Sequence, residues 1–125
     1  MTTQDLHTEV IHSTNKITFA GWQYKHRNIE IVNEDELIGN AIHNFEILRE
    51  STDSKVAHKI IDQEIIWLNE GVIRYFDHFS ANKNHALLLS QSMQLNVNTL
   101  DYVNLDYLKS ITYASRKLSK SKVSK

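Results

Sequence analysis

Histidines and carboxylates spaced along predicted helices are the first residues of this sequence with types suited to chemistry. His58 and Asp62 are four residues apart and therefore share one helix face. On the preceding predicted helix, His43 and Glu46 are three apart. Two such pairs on antiparallel neighbours can hold a divalent ion between them. None of the four lies in a repeated Glu-x-x-His motif, so exposed pairs explain the same residues and we expect no cofactor.

Arg74 and His78 form a second candidate pair, also four residues apart on a predicted helix. A histidine can move a proton while an arginine stabilises charge developing on a phosphate, so the pair fits RNA cleavage. Glu70 precedes Arg74 by four residues, and an ordinary helix ion pair explains the same spacing. The sequence has no Gly-x-Ser-x-Gly elbow, no glycine-rich phosphate loop and no cysteine. We therefore expect a binding protein rather than an enzyme.

An aromatic and basic cluster runs from Trp22 through Tyr24 and Lys25 to Arg27. Trp, Tyr and Arg dominate the binding energy of many protein interfaces, and they also stack on nucleic-acid bases. We predict that these four residues contact a partner, and we favour a protein because the surrounding sequence is acidic. The alternative is that Trp22 covers the edge of the core and the basic residues are solvated.

Three short strands are predicted to position this cluster, at about residues 6–12, 16–24 and 29–32. Ile17 and Phe19 alternate with polar residues, and the apolar phase shifts after Gly21, as at a β-bulge. The pattern indicates a small N-terminal antiparallel β hairpin or meander. A sheet of this size needs helices packed on one face.

The remaining sequence predicts a bundle of about four helices, at residues 34–50, 55–80, 85–95 and 99–118. The second is the strongest, since its apolar residues recur at steps of three and four. Gly71 lies inside this range, and we expect it to allow the close approach of another backbone. The predicted fold is a single mostly helical α+β domain over residues 1–118, followed by a flexible basic tail at 119–125.

Charge is distributed unevenly along the chain. Fifteen acidic and nine basic residues precede Arg116 and give that part a net charge of -6, whereas the last ten residues hold five basic residues and no acidic one. A nucleic-acid-binding domain normally carries a basic face on its folded part, so nucleic acid is expected only through the tail. The absence of cysteine, of a secretory pattern at the start and of a long apolar run favours a cytoplasmic protein with no membrane contact.

These features favour a small cytoplasmic protein-binding module that acts by occupying a partner's surface. Abundant Asn, Ile and Lys with no proline indicate an AT-rich bacterial or phage genome. Such a module would be a regulator, an inhibitor or an immunity-type factor, because the sequence has no catalytic constellation and its body is acidic. The wide apolar surface of the predicted helix at 55–80 also favours a homodimer or larger homo-oligomer. The alternative function is a helical RNA-binding protein or ribonuclease that uses Arg74, His78 and the basic tail.

Overall fold

All regular structure in the described part of the chain is helical. A computed structural model describes residues 2–82 and 85–95, which form the helices α1 (Thr3–Arg27), α2 (Glu34–Glu50), α3 (Lys55–Asn69), α4 (Val72–Ala81) and α5 (His85–Ser92). Helix α1 packs against α2 and α4, while α3 packs against α2, α4 and α5. Together these contacts make a helical bundle.

The predicted N-terminal β hairpin or meander, and with it the α+β fold class, is wrong. One continuous helix, α1, covers the proposed strands at 6–12 and 16–24. Residues 29–32 lie in the irregular connection between α1 and α2. The described residues contain no strand, so nothing in this part of the chain can form a sheet.

The hydrophobic pattern of the sequence does not indicate helix α1, because the buried face of this helix is partly polar. Thr14 and Thr18 lie on that face beside Ile11 and Ile17, so the apolar residues alone do not show the helical period. The Thr14 hydroxyl donates to the carbonyl of Ile11 (2.9 Å), and the Thr18 hydroxyl donates to that of Asn15 (3.1 Å). Both hydroxyls are therefore satisfied inside the bundle by the helix's own backbone.

The start of α1 has a reciprocal cap. The Asp5 N–H donates to Thr2 Oγ1 (3.1 Å), and the Thr2 N–H donates to Asp5 Oδ2 (3.2 Å). The hydrogen bonds from Thr2 lower the pKa of the Asp5 carboxyl below its ordinary value. At the other end, Asn28 adopts a left-handed conformation (φ 53°), which asparagine tolerates better than most residues, and α1 ends there.

The single long helix expected at residues 55–80 is divided into α3 and α4. Gly71 separates them with φ 110°, a backbone conformation that is strained for any other residue. The Val72 N–H at the start of α4 donates to Glu34 Oε1 (3.0 Å), so the first residue of α2 caps α4. Gly71 therefore makes a turn between two helices.

Two of the other three predicted helices fall within the described residues. Helix α2 spans the same residues as the helix predicted at 34–50. Helix α5 ends at Ser92, before the end of the range predicted at 85–95. The helix predicted at 99–118 and the tail predicted at 119–125 lie outside the described residues.

The core is formed by aliphatic side chains from several helices. Ile17 of α1, Leu48 of α2, Ile61 and Leu68 of α3 and Val72 of α4 are completely enclosed and belong to one cluster. Burying a side chain of this kind stabilises the fold by about 1.5–3 kcal/mol. This core fixes the positions of the helix ends that carry the exposed candidate residues.

Candidate functional site

The C-terminal end of α1 is fixed to α4 by a close contact at Gly21. A Cβ atom on this residue would lie 2.6 Å from Cβ of Phe76, so no side chain fits between the two helices here. Trp22 is only 6% exposed and packs against the same phenylalanine. The glycine that the sequence assigned to a β-bulge therefore permits a close helix contact. Trp22 lies in the interior, behind the surface formed by its neighbours.

Tyr24, the half-buried Arg27 and the exposed Ile29 that follows them are together termed the Tyr24 surface. Tyr24 is 42% exposed and Ile29 is 45% exposed. The Arg27 guanidinium carbon lies 5.5 Å from the centre of the Trp22 ring, which positions it as a cation over an aromatic face. The N–H of Asn28 donates to the Tyr24 carbonyl (3.1 Å) and fixes the backbone between these side chains.

Lys25 and His26 extend this region toward α4. Lys25 forms an ion pair with Asp77, and its ammonium nitrogen lies 5.8 Å from the centre of the Phe76 ring. The centre of the His26 ring lies 5.3 Å from the centre of the Trp22 ring. Both ends of the ion pair are well exposed, so it contributes at most about 1 kcal/mol to stability. Basic side chains in the last turn also interact favourably with the helix dipole, which gives Lys25 a structural role beside any role in binding.

Arg74 and His78 meet at one carboxylate. His78 Nε2 lies 2.9 Å from Glu70 Oε2, and Arg74 Nη2 lies 3.9 Å from Glu70 Oε1. The imidazole of His78 stacks on the indole of Trp67, with ring centres 5.0 Å apart and planes 10° from parallel. The structure therefore brings the two candidate residues together. However, Glu70 offsets the arginine's charge and occupies one nitrogen of the imidazole.

Two of the four candidate metal ligands stabilise the turn between α2 and α3. His58 Nε2 lies 2.9 Å from the carbonyl oxygen of Arg49 and 2.7 Å from that of Thr52. The Asp62 carboxylate accepts two hydrogen bonds from the Arg49 guanidinium, at 2.9 and 3.4 Å. These hydrogen bonds give His58 and Asp62 a structural role that does not require a metal ion.

The other two candidate ligands, His43 and Glu46, are exposed on α2. His43 lines a groove between α1 and α2. Within residues 2–82 and 85–95, no three or more histidine and acidic side chains are arranged to hold a metal ion. The structure thus does not assemble the four residues into one site.

Sequence reasoning missed a buried polar network between α3, α4 and α5. The Tyr75 hydroxyl donates to Glu64 Oε2 (2.5 Å), and His85 Nδ1 lies 2.7 Å from Glu64 Oε1. Burial, together with the adjacent carboxylate, raises the pKa of Tyr75 well above its ordinary value. One signal for the network was available, because Glu64 is in helical register with the core residues Ile61 and Leu68. Its partners, in contrast, come from other helices.

A second buried polar contact joins α1 to α5. His7 Nε2 and Ser90 Oγ share a hydrogen bond of 2.5 Å, and both residues are almost completely enclosed. A serine beside a histidine has the residue types of a nucleophile and its base, but catalysis also requires a substrate within reach. Because both side chains are enclosed, this hydrogen bond is structural. The two residues are 83 positions apart, so no local pattern could predict their contact.

No helix in the described part of the chain is both long and apolar enough to cross a membrane. No protein-family model, curated protein or solved structure matches this sequence. The basis for assigning a function is therefore the chain's own surfaces.

Proposed function

We propose that this chain is a small cytoplasmic protein-binding module that acts by occupying the surface of a partner protein. A regulator, an inhibitor or an immunity-type factor of a bacterium or phage would act in this way. The observation that supports the proposal most directly is the Tyr24 surface. It places an exposed aromatic ring, a guanidinium and an aliphatic side chain at one end of a helix.

The Tyr24 surface has the properties of a binding hot spot. Tyrosine and arginine are enriched among the residues whose truncation weakens protein complexes most. The contact between Gly21 and Phe76 anchors the helix beneath them, so little backbone freedom is lost on binding. Arg27 is already placed over the Trp22 ring, which limits the side-chain entropy that a partner must offset.

The charge of the described residues indicates what kind of partner fits. They contain thirteen acidic and seven basic side chains, which corresponds to a net charge of -6. A negative body accelerates encounter with a positively charged protein and disfavours approach to nucleic-acid backbones. A partner with a basic surface is therefore part of the proposal.

Capture from a lysate of the source cell, with the tagged chain and two variants, tests this proposal. The double variant Tyr24→Ala, Arg27→Ala removes the aromatic ring and the guanidinium of the Tyr24 surface, whereas Lys59→Ala removes an exposed cation on α3 and serves as the control. We expect one stoichiometric protein with the unmodified chain and the control, reduced about tenfold or more with the double variant. Circular dichroism establishes that all three are folded. Equal capture by the folded double variant would exclude the Tyr24 surface.

RNA cleavage is the second candidate, because Glu70 brings Arg74 and His78 to a single carboxylate. In this function the imidazole transfers a proton and the guanidinium stabilises the charge on the phosphate. It predicts that the purified chain cleaves RNA, that binding weakens steeply with salt, and that His78→Ala abolishes cleavage. Cleavage that survives this substitution removes the assignment.

A further inference from the structure

A groove of about 410 Å³ runs between α1 and α2. Its volume lies within the range of ligand-binding clefts, about 300–1,000 Å³. The lining is mostly polar, and three of its residues are the asparagines Asn33, Asn40 and Asn44. The groove is separate from the residues that form the Tyr24 surface.

The three asparagines form a row along α2. Asn40 and Asn44 are four residues apart and share one face of α2, and Asn33, directly before the start of α2, lines the same groove. From Asn33 to Asn44 the row extends about 16 Å at 1.5 Å per residue. Within the described residues, the side chains of Asn33 and Asn40 make no hydrogen bond. Asn44 Nδ2 donates to Ser13 Oγ (2.6 Å), which orients this amide across the groove toward α1.

Asn33 departs from the usual behaviour of its position. It is the N-cap residue of α2, where an asparagine side chain normally accepts a hydrogen bond from the first turn. Here the residue has φ 58° and its side chain makes no capping hydrogen bond. The residue lines the groove. A residue that does not take the locally favoured interaction is often placed for function.

A primary amide carries one acceptor and two donors, so it can pair with both polar groups of a peptide backbone. A row of such amides can hold an extended peptide through its main chain, which is how extended segments commonly gain affinity. Because an extended residue advances about 3.3 Å, the 16 Å row matches about five residues of bound chain.

Two carboxylates determine which side chains that segment would carry. Glu9 lines the groove from α1 and Glu36 lines it from α2, while Lys16 is the only Lys or Arg among the lining residues. In the described part of the chain, neither glutamate forms an ion pair or a side-chain hydrogen bond. Val32, which is 67% exposed, adds apolar surface at the edge for the stem of a long side chain.

We propose that the groove between α1 and α2 binds an extended segment of a partner protein that carries lysine or arginine. The asparagine row holds the backbone of the segment, and Glu9 and Glu36 bind its cations. The inference deepens the proposed function by naming the kind of partner segment and a second contact surface. It rests on the proposed protein-binding role but uses none of the residues of the Tyr24 surface.

The test uses the purified full chain and a fluorescent, end-capped heptapeptide in which arginine alternates with threonine, titrated by fluorescence anisotropy. We expect the peptide to bind about tenfold more tightly than a matched peptide with glutamate in place of arginine. Methylating the threonine backbone nitrogens should weaken binding about fivefold or more, because it removes the N–H groups that donate hydrogen bonds to the asparagine amide oxygens. Spermine, a polycation without peptide groups, should compete weakly.

Three variants locate the binding. Glu36→Gln and Asn40→Ala should each weaken binding of the arginine peptide about three- to tenfold, and Glu46→Gln, an exposed position on α2 outside the groove, should not. The inference is overturned if the glutamate peptide binds equally well, if N-methylation or the groove variants have no effect, or if spermine displaces the peptide at equal concentration. Loss of partner capture by the Tyr24→Ala, Arg27→Ala variant tests the Tyr24 surface alone, and loss of peptide binding by the groove variants tests the groove alone, so the two failures are distinguishable.

Discussion

At the residue scale, Gly21 and Gly39 show how the same residue type can have opposite roles inside a helix. A Cβ on Gly21 would meet Cβ of Phe76 at 2.6 Å, where neither atom belongs to a flexible side-chain end. A Cβ on Gly39 would meet nothing within 4 Å. The first glycine is needed for packing, and the second only adds backbone freedom to the unfolded chain.

Substituting both glycines with alanine should therefore change stability in opposite directions. Gly21→Ala forces α1 and α4 apart and should lower the free energy of unfolding by about 1–3 kcal/mol. Gly39→Ala should raise it by about 0.5–1 kcal/mol, since alanine is the better helix former. Urea unfolding followed by circular dichroism measures both. A neutral Gly21→Ala variant would show that the close contact with Phe76 is not maintained in solution.

Tyr75 should make stability depend on alkaline pH. Its pKa is raised in the folded chain by burial and by Glu64, so the hydroxyl stays protonated while the unfolded form ionises near pH 10. Its stabilising contribution is thus complete below about pH 10 and is lost as pH rises further. At neutral pH, Tyr75→Phe should cost about 1–3 kcal/mol, because Glu64 loses a donor.

Urea unfolding of the unmodified chain and Tyr75→Phe, measured from pH 7 to pH 11, tests this pH dependence. Above pH 10 the stability of the variant should fall less steeply, since the other tyrosines contribute equally to both proteins. Parallel pH profiles would mean that Tyr75 is not shielded from solvent as the structure shows.

Residue types alone predicted where part of the Tyr24 surface lies but not which side chains are exposed. The sequence placed Trp22 and Tyr24 together in one cluster, whereas the structure buries the first and exposes the second. That difference is set by Phe76 of α4, more than fifty positions away. The same limit applies to His7 and Ser90, whose contact depends entirely on the packing of α5 near α1.

At the scale of elements, local signals predicted helices best where the buried face is apolar and the ends have capping residues. Helix α3 begins after Ser54, whose hydroxyl accepts a hydrogen bond from the N–H of Ala57 (3.2 Å), and its core face is largely aliphatic. Helix α1 was not predicted because threonine, histidine and glycine residues lie on its buried side. The hydroxyls of Thr14 and Thr18 bond to the helix backbone and His7 bonds to Ser90, and a sequence pattern displays none of these contacts.

The cap that Glu34 provides for α4 predicts a long-range effect on stability. Glu34→Ala removes the acceptor for the Val72 N–H and should lower the free energy of unfolding by about 0.5–2 kcal/mol. Asp35→Ala, at the next position of the same first turn, is the matched control and should have a smaller effect. Chemical denaturation of both variants measures the difference. Equal effects would show that the contact between α2 and α4 contributes nothing specific.

At the scale of the whole molecule, both proposed contact surfaces involve α1 and the chain that follows it. The Tyr24 surface lies at the end of α1, and the groove includes Val32 and Asn33 from the connection to α2. The acidic excess of the residues before Arg116 was evident from the sequence, because counting charges requires no fold. The groove could not be predicted from the sequence, because its walls come from two helices and the first of them was predicted as strands.

The central claim is that this chain binds a protein, and the most direct measurement is capture of the tagged chain from lysate with and without nuclease, over a salt series. We predict a stoichiometric protein that remains bound after nuclease treatment and at moderate salt, because apolar and hydrogen-bonded contacts resist screening. Recovery of nucleic acid alone, lost as salt rises, would contradict the claim and favour the RNA function of Arg74 and His78.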